Sequence, residues 1–140
     1  MASQGGPVAI RMRNDLGDLS RFLDEVEAFC RTQGLPDEVA RGLAVALDEL
    51  ITNTVTHGYP DGRQHDIELH LEVADSRLQA ELVDDAEAFN PLDHPVPDTT
   101  LPAEKRPIGG LGIHLVRNLM DDVSYERRDG RNHTRLSRRL

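Results

Sequence analysis

Residues 36–58 read PDEVARGLAVALDELITNTVTHG, and the fold is worked out from this stretch. Val39, Leu43, Ala46, Leu47 and Leu50 recur at three- and four-residue spacing, which predicts an amphipathic helix with one buried stripe. Pro36 suits the first turn, where a missing N–H costs nothing, and Asp37 and Glu38 favour the positive end of the helix dipole. Gly58 and Pro60 end the helix near His57. Glu49 and Asn53, four residues apart, project from one face beside the leucine stripe.

Upstream, Val8, Ile10 and Met12 alternate with Ala9, Arg11 and Arg13, as in a half-buried strand. Asp18 is placed to cap a helix carrying Leu19, Phe22, Leu23, Val26, Phe29 and Cys30, which Gly34 stops. Downstream, Ile67, Leu69, Leu71 and Val73 alternate with Asp66, Glu68, His70 and Glu72. Leu78, Ala80 and Leu82 repeat the pattern, and Asp75-Ser76 is turn chemistry, so a hairpin is expected. From 86 to 107 periodicity vanishes among five prolines, which marks a long loop of a kind more often functional than idle. Gly109-Gly110-Leu111-Gly112 then opens a short helix to about Met120. Strands near 122–128 and 132–138 follow, turning at Asp129-Gly130. One domain over 1–140 is expected: a two-layer α+β sandwich, its sheet mostly antiparallel with the helices on one face.

A net charge of −9 argues against general nucleic-acid binding, which relies on basic surface. No apolar run reaches bilayer length and the first residues lack a secretory pattern, so a soluble, cytoplasmic protein away from membranes is expected. The single Cys30 excludes an internal disulfide and reads as a packed small hydrophobe. Arg127, Arg128, Arg131, Arg135, Arg138 and Arg139 read as a solvated hairpin face. The six histidines lack ligand spacing, so no zinc site is expected. Neither a G-x-S-x-G elbow, a G-x-x-x-x-G-K-[ST] loop nor an H-E-x-x-H helix occurs.

Three clusters carry chemistry, and each has a plainer alternative. Glu49 with Asn53 joins a carboxylate that can polarise a hydroxyl to an amide oxygen suited to Mg²⁺; the same spacing also occurs on solvated surfaces. Asp84, in Val83-Asp84-Asp85-Ala86, stands where a strand leaves the sheet and can accept a bond from an amine, though Asp-Asp is also turn chemistry. Gly110 and Gly112 lead a helix whose N-terminal N–H groups suit an anion, with Lys105 and Arg106 upstream to cover phosphates; glycines there also make simple turns.

Taken in order, Leu47-Asp48-Glu49-Leu50-Ile51-Thr52-Asn53-Thr54-Val55-Thr56-His57-Gly58, Val83-Asp84-Asp85-Ala86-Glu87-Ala88-Phe89-Asn90-Pro91 and Gly110-Leu111-Gly112-Ile113-His114-Leu115-Val116-Arg117-Asn118-Leu119-Met120-Asp121 resemble the three motifs of the GHKL ATPases. Gyrase, sensor histidine kinases and mismatch-repair ATPases share that superfamily, and the anti-sigma-factor serine/threonine kinases within it look most similar. The resemblance implies a Bergerat fold with a mixed, mostly antiparallel sheet, binding ATP and Mg²⁺. By motif position Asn53 holds the metal, Glu49 is the general base, Asp84 accepts the adenine amine, and Gly110 and Gly112 supply phosphate-side backbone. The 86–107 loop becomes an ATP lid. Implied partners are an anti-anti-sigma (STAS-type) protein and a sigma factor, and homodimers occur in the family. A nucleotide-gated binding switch and a detached histidine-kinase-like catalytic domain are the alternatives. The chain departs from the family at Ala86, where glycine is usual, and a methyl group there is expected to weaken nucleotide binding.

Overall fold

A computed structural model describes residues 6–93 and 110–140. The elements are β1 (Val8–Arg13), α1 (Leu19–Thr32), α2 (Asp37–His57), β2 (Asp66–Ala74), β3 (Arg77–Asp84), α3 (Gly110–Leu119), β4 (Asp122–Arg128) and β5 (Arg131–Arg139). Single turns of 3-10 helix stand at Leu16–Asp18 and Pro91–Asp93. The strands form one sheet in the order β1-β2-β3-β5-β4. Every neighbouring pair is antiparallel, so the expected mixed character is not seen among the described residues. Tight hairpins account for two of these four pairs: two-residue turns join β2 to β3 and β4 to β5, and such turns force antiparallel neighbours. Both turns use positive φ, at Asp75 (54°) and Ser76 (59°) and at Asp129 (53°) and Gly130 (74°). Those are the mirror-image turns whose twist matches that of the strands.

Period-two alternation decides which side chains meet the helices. Ile10 and Met12 of β1, Ile67, Leu69 and Leu71 of β2, and Leu78, Ala80 and Leu82 of β3 are buried. They pack against Phe22, Val26 and Phe29 of α1 and Leu43, Leu47 and Ile51 of α2. Cys30 is buried in the same core, and burial pushes its thiol up. The opposite face carries charge, including Arg135 paired with Glu81 at 2.8 Å and Arg11 with Glu68 at 3.4 Å. One face is apolar and the other solvated, as the alternation predicts.

Helix ends follow local chemistry, with one correction. Asp18 does not cap α1 with its side chain. Its carboxylate instead accepts from the Arg13 backbone N–H (3.0 Å) and from Arg21 Nε (3.0 Å), tying the end of β1 to the helix. The Arg21 guanidinium and that backbone N–H hold the Asp18 carboxyl down at about 2. The capping bond lies upstream, where Asp15 Oδ1 accepts from Gly17 N at 2.8 Å. Gly34, at φ +68°, closes α1 as expected. Pro36 stands just ahead of α2, and its carbonyl accepts from Ala40 N at 3.0 Å.

Two of the C-terminal arginines also make contacts beyond their hairpin, Arg127 while exposed and Arg138 while half-buried. Arg138 donates to the Leu119 carbonyl (3.3 Å) and to Glu38 (3.3 Å), fastening the end of α3 beside the start of α2. Arg127 reaches the Ala86 carbonyl at 2.8 Å.

Candidate functional site

At one end of the sheet the inward rows change from apolar to polar. On β3 the row Leu78, Ala80, Leu82 continues to Asp84, which remains only 5% exposed. On β5 the row Leu136, Thr134 continues to Asn132. The register sets Leu82 opposite Thr134 and Asp84 opposite Asn132. On α2 the leucine stripe gives way at the same end to Asn53, Thr54 and His57. These groups surround a cavity of about 340 Å³. Ala86, Ala88, Phe89 and Pro91 add apolar wall from the segment that leaves β3. A largely apolar cleft of that volume with a few convergent polar groups suits a flat heterocycle.

Asp84 is the buried acid of the site. Its Oδ1 accepts from Ala86 N (3.1 Å) and from Asn132 Nδ2 (2.8 Å). Burial pushes its carboxyl up from the usual range, while those two hydrogen bonds pull it down. The neighbouring Asp85 points elsewhere, pairing at 3.0 Å with His65, which also meets Asp61 at 2.8 Å. The two carboxylates raise the His65 imidazole, and its ring stacks on Tyr59 with centroids 4.8 Å apart.

Asn53 lines the same cavity, and its Nδ2 is buried without a hydrogen-bond partner among the described residues. An orphaned buried amide is costly and, where it faces a cavity, indicates a ligand that would pair it. Glu49 lies half-buried one turn earlier on the same helix face but is not among the residues that line the cavity. Gly110 and Gly112 lie in the first turn of α3. Lys105, Arg106 and most of the expected 86–107 lid lie outside the described residues. Among the described residues, Asn53 and Asp84 are the predicted site residues that share one cavity.

Ala86, the departure from the family pattern, is buried and has no positive φ. Its methyl group is accommodated by a glycine: a Cβ added to Gly58 would lie 2.6 Å from that of Ala86. Gly58 O also accepts from Glu87 N at 2.9 Å, so the end of α2 and the strand exit form one seam beneath the cavity.

Sequence reasoning missed Asn132, Thr134 and the apolar wall. Counting by twos back from Leu136 places Thr134 and Asn132 on the inward face, so polar residues at core parity were the available signal.

Comparison with known proteins identifies the family and the fold. The profile of the histidine kinase-like ATPase domain matches residues 12–138. The serine/threonine-protein kinase BtrW of Bordetella bronchiseptica is 32% identical over 97 residues, covering 68% of this chain and 67% of that protein. The serine-protein kinase RsbW is 31% identical in Oceanobacillus iheyensis, over 69% of this chain and 64% of the relative. In Bacillus subtilis RsbW is 28% identical, over 67% and 61%. The match thus spans about two thirds of the length of these relatives. A crystal structure of the RsbU and RsbW domains of a Mycobacterium tuberculosis protein superposes with a TM-score of 0.68 at 16% identity, covering 97% of this chain and 32% of that one, a likeness of fold. The chain belongs to the histidine kinase-like ATPase family, and BtrW and RsbW, named as serine or serine/threonine kinases, are among its relatives.

Proposed function

We propose that this protein is an anti-sigma-factor serine/threonine kinase that binds ATP in the cavity between α2 and the β3–β5 end of the sheet. The observation that carries the proposal is the pairing of a buried carboxylate, Asp84, with an orphaned buried amide, Asn53, in one cleft. Asp84 would accept a hydrogen bond from the exocyclic amine of adenine, the apolar wall would cover the ring, and Asn53 would hold Mg²⁺ through its amide oxygen while its Nδ2 donates to a phosphate oxygen. The metal would supply charge neutralisation for the phosphates. Gly110 and Gly112, opening α3, would offer backbone N–H groups to the phosphates, and by motif position Lys105 and Arg106 would add positive charge and the 86–107 segment would serve as the ATP lid.

In the reaction the terminal phosphoryl group passes to a Ser or Thr hydroxyl of an anti-anti-sigma (STAS-type) protein. The new P–O bond forms to that oxygen, the bond to the ADP oxygen breaks, and Glu49 takes the hydroxyl proton. Phosphoryl transfer asks mostly for positioning and charge neutralisation, which this set of groups provides. Partner exchange would let the chain hold or release a sigma factor, work done in the cytoplasm. No helix among the described residues is long and apolar enough to cross a membrane.

A second reading is a nucleotide-gated binding switch, favoured by the Ala86 methyl in the cavity wall and by the position of Glu49 off that wall. Labelled ATP with Mg²⁺ and a purified anti-anti-sigma domain separates the two. The kinase reading expects label transfer that disappears in Glu49→Ala while ATP-dependent association persists. Association without any transfer in the unaltered protein selects the switch instead, and no uptake of ATP at all refutes both.

A further inference from the structure

Asn132 is 4% exposed, and its side chain meets six hydrogen-bonding groups among the described residues. Its Nδ2 faces three acceptors: Asp84 Oδ1 at 2.8 Å, Glu87 O at 3.0 Å and Ala86 O at 3.4 Å. Its Oδ1 faces three donors: the Tyr125 hydroxyl, Arg127 Nη1 at 3.1 Å and Phe89 N at 3.4 Å. A flipped amide would set donor on donor and acceptor on acceptor, so the network admits one orientation of the side chain. Aspartate in its place has no donor for Asp84, and glutamine is one methylene too long for the register that sets the two residues opposite each other.

We propose that Asn132 is a positioning residue: its amide, locked by Tyr125 and Arg127, holds Asp84 Oδ1 so that Oδ2 is presented to the amine of the bound base. This rests on the nucleotide reading of the cavity. Two further features make the residue more than a packing unit. The bond it gives Asp84 favours the ionised carboxylate against burial, so it acts on the protonation state as well as the angle. It also ties the backbone at Ala86 and Glu87, the first residues of the cavity's apolar wall, to the same amide. Base selectivity and wall position therefore depend on one side chain.

The test compares Asn132→Ser and Asn132→Asp with the unaltered protein, each first checked for native circular dichroism. Calorimetric titration with ATP and with inosine triphosphate, which carries a carbonyl in place of the amine, gives the selectivity. Loss of one oriented buried hydrogen bond predicts roughly tenfold weaker ATP binding in Asn132→Ser, with inosine triphosphate affected far less, so the ratio of affinities falls toward one. In Asn132→Asp two facing carboxylates share a proton, and the acid limb of ATP binding moves to higher pH. Should Asn132→Asp fail to fold, the selectivity ratio of Asn132→Ser decides alone. Equal weakening of both nucleotides, or an unchanged ratio, overturns the positioning role and leaves the nucleotide site standing. Absence of ATP binding in the unaltered protein overturns the site itself, and this inference with it.

Discussion

Gly58→Ala tests how tightly the end of α2 is pressed against the strand exit. The backbone at Gly58 has φ −92° and ψ −9°, which alanine adopts freely, so the cost is steric. The added carbon would lie 2.6 Å from Ala86 Cβ and 2.6 Å from the Thr54 carbonyl oxygen. Carbon atoms rest at roughly 3.5–4.0 Å, so the methyl groups overlap by about an ångström. Overpacking of this kind costs about 1–3 kcal/mol. The smaller entropy of the unfolded alanine chain returns about 0.4–1 kcal/mol. A net loss on the order of 1–2 kcal/mol remains, which for a chain of this size lowers the melting midpoint by roughly 3–10 °C. Ala86 can yield only by moving away from Gly58, and it takes the Asp84 turn with it, so nucleotide affinity should fall in parallel. Adding Ala86→Gly removes one of the two obstructions and should recover part of the lost stability, a non-additive coupling that a double-mutant cycle reads directly. Thermal melts of the four proteins supply the numbers. A Gly58→Ala protein that melts with the unaltered one, or two substitutions whose effects simply add, would refute the packing argument.

Three other outcomes follow from the site and its supports. Burial raises the Asp84 carboxyl, so folding favours its neutral form and stability present at acid pH diminishes as pH rises through the raised value. Asp84→Asn keeps an oxygen for Ala86 N and Asn132 Nδ2 while shedding the charge; it should abolish nucleotide uptake yet melt at or above the unaltered midpoint at neutral pH, and a clear drop in midpoint would contradict this. Asn53→Ala removes an amide nitrogen that has no partner, so phosphoryl transfer should vanish while chemical denaturation shifts by less than about 1 kcal/mol. Asp18 is held at about 2 by Arg21 and the Arg13 backbone. Its stabilising contribution is present above the ordinary carboxylate value of 3.8 and is lost as pH falls toward about 2, so Asp18→Asn should flatten the acid limb of the stability curve, as acid titration followed by circular dichroism would show.

The periodicities were legible because they are local. Three- and four-residue spacing in α2 and period two in β2 and β3 arise from backbone geometry alone, and they placed Leu47, Leu69 and Leu82 in the core correctly. Asp18 shows the limit of such rules. A residue of good capping type was diverted to Arg13 and Arg21, because the end of β1 brings a backbone N–H to a carboxylate that Arg21, three residues on in α1, also binds.

From the sequence alone came the order of elements, the one-sided sheet, and the choice of Asn53 and Asp84, which line one cavity. Tertiary structure decided what surrounds them. That Asn132 faces Asp84 across residues 48 apart depends on the pairing of β3 with β5, and register between distant strands is set by the whole sheet and its covering helices. Gly58 making room for Ala86 is likewise a contact between the end of α2 and the exit of β3. Close packing, unlike periodicity, is a property of pairs that the chain brings together only when it folds.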